Sequence, residues 1–289
     1  MTALAIHPRT QSLPGLALPG LAGVGDVGDL ASECLVREVV TYPKPGLVSH
    51  VDAGAHRDMD CALLIRSARA LAPYFRALAE AGAAGAAMKR LRAIGVAAEQ
   101  AMLAATGNVN THRGAIFGLG LLCAAAGARV AFGPERPLGE LVAERWGEAI
   151  LGGPTPLSSH GALAARRYGV GGARLEAALG SPSIYAVGLP ALRLGRRLAP
   201  RDEEAAQVQA CMTLIAEVAD TNLLHRGGPD GLAFAQAQAS AFLAAGGVGQ
   251  GGWRARAETI HSAFVARNLS PGGCADLLAM TLFVDRMEG

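Results

Sequence analysis

The sequence predicts an all-α protein built as a single multi-helix domain. From Asp26 onward the apolar residues recur at helical rather than alternating spacing. Clusters of β-branched residues bounded by turns are nearly absent, and only "ARVAF" at 128–132 reads as either a short strand or a helix exit. The connections are short and marked by Gly or Pro, with no break in composition to divide the chain into domains.

In chain order, residues 1–25 carry three prolines and several glycines without a period, and read as a loose arm ahead of a helical domain over 26–289. Leu30, Cys34, Val36 and Val40 begin the helical pattern. Leu63, Leu64, Ala68 and Leu71 continue it, followed by Met88, Leu91, Val96 and Met102. Further helical runs lie near 112–127, 136–151, 158–168, 172–179, 183–198, 202–219, 229–245, 252–266 and 272–286. Asp202-Glu203-Glu204 places acids in a first turn, where the helix dipole favours them. Ser270-Pro271 reads as an N-cap followed by proline at the first helical position. Breaks fall at 106–110, 152–157, 169–172, 199–201 and 226–231.

Of the 289 residues, 51% are hydrophobic and 17% charged, which fits a packed protein and not a disordered one. A net charge of +2 gives no reason to expect a nucleic-acid partner. Lysine occurs only at Lys44 and Lys89, so Lys44 stands out. Five scattered cysteines without a CxxC pair suit reduced, buried thiols in a cytoplasmic protein. The N-terminus is a poor signal peptide, and the apolar stretches are expected to break short of a membrane span. No Walker A loop, strand-preceded GxGxxG, HExxH or GxSxG occurs.

The polar residues concentrate at helix junctions. "TYPKPGLVSHVDAGAHRDMD" holds Lys44, Asp52, His56, Asp58 and Asp60 in one stiff, proline-biased segment, with Asp58 the expected cap of the next helix. In "NVNTHRG", Asn110 or Thr111 caps a helix beginning near His112. Arg113 and Gly114 in its first turn make a physical anion site, although for that stretch taken alone an N-cap and close packing at the glycines are the better reading. In "ADTNLLHRGG", Asp220 is expected to close an apolar helix, a position that calls for compensation by Arg226, a metal or a ligand. Asn222, Gly227 and Gly228 follow it. "SPGGCAD" opens the last helix with Ser270, Gly272 and Gly273, small enough for a phosphate to reach N–H groups, and Asp276 lies one turn inside. Arg174 and Glu176 sit between two glycine-rich breaks, and Ser158, Ser159 and His160 suit capping.

Five motifs in order, "YPKPGLVSHVDAGAHRDMD", "NVNTHRGAIFGLGLL", "YGVGGARLEAALGSPSIYAVGLPAL", "DTNLLHRGG" and "LSPGGCADLLA", together resemble the triphosphoribosyl-dephospho-CoA synthase family. The resemblance runs from Glu33 to Leu282, and "YPKPGLVSHVD" looks most like its malonate decarboxylase branch rather than the citrate lyase branch. Arg113 stands where many relatives are expected to carry lysine, which keeps the charge but substitutes a fork for a point charge. The resemblance implies an all-α enzyme with ATP and 3′-dephospho-CoA as substrates, a divalent cation such as Mg²⁺, and 2′-(5″-triphosphoribosyl)-3′-dephospho-CoA and adenine as products. The product would pass to a holo-carrier-protein synthase for the acyl-carrier subunit. Because ATP is then a glycosyl donor, the absence of a Walker loop is expected.

Such a displacement needs a base for the ribose 2′-hydroxyl, negative charge near the carbon that becomes oxocarbenium-like, and groups for the triphosphate. The expected catalytic residues are Asp58, Asp220, Asp60 and His112. The expected nucleotide and phosphate ligands are Lys44, Asp52, His56, Asn110, Thr111, Arg113, Gly114, Arg174, Glu176, Asn222, Arg226, Gly227, Gly228, Ser270, Gly272 and Gly273. The expected metal ligands are Asp58, Asp220 and Asp276. Two rivals are an all-α metal-dependent ADP-ribosyl hydrolase-like enzyme and a non-enzymatic helical scaffold. Concentration of polar groups in Gly-rich junctions favours a small-ligand site over a scaffold. The segment "GGWRARAETIHSAF" suits either an internal helix or a face of a homo-oligomer.

Overall fold

The computed structural model describes residues 24–133, 136–154 and 160–289. Most of the predicted arm, and Ser158, Ser159 and the side chain of His160, lie outside the described residues. Twelve α-helices and no strand occur among the described residues. The hub is α4 (Arg113–Phe132), apolar on every face and buried from Ala115 to Ala128 apart from Phe117 and Gly118. It packs on α2 (Cys61–Ala83) and α12 (Gly272–Glu288), with α1 (Val24–Val40), α3 (Met88–Thr106) and α5 (Leu138–Leu151) around them. Small residues set these distances. A Cβ on Gly82 would lie 1.8 Å from the Ala124 carbonyl oxygen, and one on Gly127 would lie 1.8 Å from that of Ala79. The α2 and α4 backbones therefore touch, and α4 is long and apolar enough to cross a membrane only by length and composition. The expectation that every apolar stretch breaks short of a span fails here. Glycines 114, 118, 120 and 127 interrupt bulk, not hydropathy, and this helix is instead a core element.

A second layer follows in the chain. The short α6 (His160–Tyr168) lies against α10 (Thr221–Ala244), and α7 (Gly172–Ala178) lies against α5. The predicted helix 183–198 is a π-helical turn, Ser183–Gly188, leading into α8 (Leu189–Leu198). Pro190 has no N–H for the usual i→i−4 bond, which accounts for the wide turn before it. Helix α9 (Glu203–Glu217) packs on α8 and α10, and α11 (Trp253–Ala266) follows α10. The predicted break at 226–231 is a kink: α10 runs through it, bent at Gly228 (φ 62, ψ −164) ahead of Pro229. "ARVAF" is the last part of α4, not a strand. One continuous cluster joins Leu35, Phe75, Leu119, Phe264 and Phe283 into the core.

Helix starts differ from expectation by one or two residues. Asp60, not Asp58, caps α2, accepting the Leu63 N–H at 2.8 Å. His112 occupies the N-cap position of α4, while Asn110 Oδ1 accepts the Arg113 N–H at 3.3 Å. Pro271 is the N-cap of α12, because the Ser270 hydroxyl is engaged elsewhere.

Candidate active site

Three helix starts, those of α4, α10 and α12, meet beside the loop 41–60. Asp220 is the N-cap of α10 and does not close α9, which ends three residues earlier. Its Oδ1 accepts the N–H groups of Asn222 (2.7 Å) and Leu223 (3.2 Å), and its Oδ2 accepts that of Cys274 in α12 (2.8 Å). The carboxylate therefore sits at two positive helix ends and needs no compensation by Arg226. A Cβ on Gly273 would lie 3.0 Å from Asp220 Oδ2. Burial pushes the Asp220 carboxyl up, and the three N–H bonds only partly offset it.

Asp276 repeats the arrangement on α4. It accepts the Ala115 N–H, and a Cβ on Gly114 would lie 2.0 Å from its Oδ2. Burial first, then the charges of Glu38 and Asp220, hold its carboxyl well above the usual range. The helix starts expected to receive phosphate at Gly114 and Gly273 thus already carry protein carboxylates. Lys44 is fully buried, and its ammonium donates to the carbonyl and carboxylate of Glu38. Lys44, expected among the phosphate ligands, is instead turned inward onto Glu38 by the segment after α1. Glu38 pairs with Lys44 and Asp220 caps two helix starts, while the raised Asp276 carboxyl favours its protonated form, so this interior holds a cluster of three buried acids around one lysine.

His112 is buried, and its Nδ1 lies 2.8 Å from Ser67 Oγ, which in turn lies 2.7 Å from Thr111 Oγ1. Burial and the Lys44 charge push its imidazole down to about 4, so it is neutral at pH 7. Arg113 points outward to Glu99 at 2.5 Å.

A second group ties the loop 41–60 over this region. His56 Nε2 meets Ser270 Oγ at 2.9 Å, and its Nδ1 faces Arg226 at 3.3 Å and Asp58 at 3.7 Å. Burial and the Arg226 charge lower the His56 pKa against the opposing pull of Asp58. Arg226 also donates to the Ala55 carbonyl and to Asn268, and burial pushes its pKa down. Asp52 accepts the Gly54 N–H and lies 3.2 Å from His261, which holds the Lys44 carbonyl at 2.8 Å. Asn222 packs on Gly272, and Gly227 on Leu269.

Some expected residues do not join. Arg174 binds the carbonyls of Leu151 and Gly153 at the end of α5, and Glu176 binds the Ser183 N–H and hydroxyl, so both act as caps of neighbouring turns. Asp58 is exposed beside His56, whereas Asp220 and Asp276 lie inside. Among the described residues no group of three or more His, Cys, Asp or Glu is placed to hold a metal ion, so the three-aspartate set does not fit a protein-only metal centre. A recess of about 630 Å³ lined by Arg129, Arg136 and Glu288 lies at the other ends of α4 and α12. Helix C-termini carry partial negative charge, which disfavours an anionic substrate there. Glu38 and Ser67 were missed in the sequence. Glu38 was detectable, since it follows Leu30 and Cys34 on the core face of α1. Ser67 gave no signal, because its partners lie 44 and 45 residues away.

Comparison with known proteins bears on what this arrangement serves. The family of ATP:dephospho-CoA triphosphoribosyl transferases matches residues 25–289. The chain belongs to this family. A "Probable 2-(5''-triphosphoribosyl)-3'-dephosphocoenzyme-A synthase" of Azotobacter vinelandii is 44% identical, with 90% of each chain covered. The "2-(5''-triphosphoribosyl)-3'-dephosphocoenzyme-A synthase" of Pectobacterium atrosepticum is 41% identical over 89% of this chain and 87% of its own. No solved structure matches. All five motifs of the transferase resemblance fall within the matched residues, and three of them supply the helix starts of the carboxylate cluster.

Proposed function

We propose that this transferase moves the triphosphoribosyl group of ATP to the ribose 2′-hydroxyl of 3′-dephospho-CoA at the meeting point of α4, α10 and α12. The observation that carries the reading is the cluster of acids buried there, with the Asp220 carboxylate fixed by three N–H groups beside the Glu38–Lys44 pair and Asp276. Breaking the C1′–N9 bond leaves positive charge on the sugar carbon, and a preorganised negative field in a desolvated site favours that state over the neutral ground state. His56, Arg226 and Arg113 then serve the triphosphate and the dephospho-CoA phosphates at the rim. The exposed Asp58 beside them is the group in reach of solvent to take the hydroxyl proton. Mg²⁺ carried by the triphosphate is part of the substrate and needs no protein cage.

Incubation with ATP, Mg²⁺ and 3′-dephospho-CoA should release adenine and the triphosphoribosylated product in equal amounts. Adenine formed equally without dephospho-CoA points to a hydrolase, and none at all to a scaffold; either result overturns the reading. The form of "YPKPGLVSHVD" supports service to malonate decarboxylase. Disrupting the gene should then abolish growth on malonate and spare growth on citrate.

A further inference from the structure

The neutral His112 stands at the start of α4 and is held there by a side chain of α2. Its ring has one nitrogen on Ser67 Oγ, and Ser67 is fully buried within α2. Its Nε2 makes no hydrogen bond among the described residues. No fully buried side-chain nitrogen or oxygen among those residues lacks a partner, so Nε2 keeps a small opening although His112 as a whole is 4% exposed. The ring therefore has a fixed inner side and a free outer nitrogen, at the start of the helix that seats Asp276.

We propose that Ser67 is a positioning residue: the chain Thr111 O–H to Ser67 Oγ, Ser67 O–H to His112 Nδ1, locks the imidazole as the Nε2–H tautomer. In that form His112 donates a hydrogen bond to a ring nitrogen of the departing adenine. The reverse chain, with Nδ1–H donating to Ser67, would leave Nε2 as a base. A ring that resists protonation down to about pH 4 is too weak a base for a hydroxyl proton at neutral pH. A neutral imidazole N–H is nevertheless a good donor toward developing negative charge. In the transfer, the C1′–N9 bond breaks with its electron pair going to adenine, and the C1′–O2′ bond forms. The proton lost by the 2′-hydroxyl balances the one that adenine gains. His112 keeps its own proton throughout.

The inference rests on the adenine-releasing reading, and two measurements separate the fates of the two. Nitrogen-15 NMR of the labelled full-length protein at pH 7 should show His112 protonated at Nε2, and Ser67→Ala should mix the tautomers. In steady-state adenine release, Ser67→Ala should lower kcat about tenfold, the worth of one hydrogen bond, with the KM for ATP within about twofold. Ser67→Thr, which keeps the hydroxyl, should restore most of it. Thr111→Val at the less buried end should act in the same direction and more weakly, and it decides the matter should Ser67→Ala fail to fold. An Nδ1–H signal in the wild type overturns the inference. So does a loss confined to KM, or wild-type kcat in both variants. Absence of adenine from the wild type itself counts against the proposed function, while the tautomer still tests the relay.

Discussion

Gly114 shows how one missing methylene shapes this site. The Asp276 carboxylate occupies the space that a side chain on Gly114 would fill, 2.0 Å from the ideal Cβ position. Gly114→Ala should therefore push Asp276 off the Ala115 N–H and cost about 1–3 kcal/mol in urea unfolding, with loss of adenine release. Gly95→Ala is the control. It lies mid-helix in α3 with nothing within 4 Å, and should stabilise by up to about 1 kcal/mol. His112 makes a second residue-level prediction. Its native pKa of about 4 lies below the ordinary 6.5, so the folded state disfavours the proton. Its stabilising contribution is complete above pH 6.5 and is lost as pH falls toward 4. Unfolding free energies at pH 7 and pH 4.5 should show His112→Asn losing less on acidification than the wild type, by about 2–3 kcal/mol.

Among the elements, α10 and α12 share one cap. Asp220 closes N–H groups of both, so Asp220→Ala strips two helix starts at once and leaves three donors without their acceptor. The expected cost is about 2–4 kcal/mol, read as a lower midpoint in denaturant titration. Asp58→Asn, at an exposed position, should leave that midpoint unchanged while reducing adenine release; normal turnover would remove Asp58 from the chemistry. The helices were legible because each carries its own period. The precise starts were not, because the cap is chosen by competition among nearby acceptors. Ser270 lost its capping role to His56, a partner 214 residues away that no local pattern announces. The kink in α10 reads from sequence as a break for a similar reason. Gly228 and Pro229 do interrupt the bonding, but packing on α9 and α6 carries the helix through.

The whole molecule places its acids unevenly: a chain of net charge +2 encloses Glu38, Asp220 and Asp276 near one lysine. The sequence showed which junctions hold acids, but not that Asp220 and Asp276 turn inward while Asp58 stays out. That sorting depends on α4, α10 and α12 meeting, and on Gly114 and Gly273 leaving room. The arrangement opposes folding at high pH. Asp276 is held well above the usual carboxylate range, so its contribution to stability is complete below the unfolded value, near 3.9, and is lost as pH rises through the folded one. Burial is the chief cause, and Glu38 and Asp220 add to it. Asp276→Asn removes the titration and keeps the size and the acceptor for the Ala115 N–H. Its unfolding free energy should therefore gain on the wild type's as pH rises from 4 to 8, and equal or exceed it at pH 8. A variant less stable than the wild type at pH 8 would show that the carboxylate is a structural anchor, held for its hydrogen bonds and not kept under strain for the transfer.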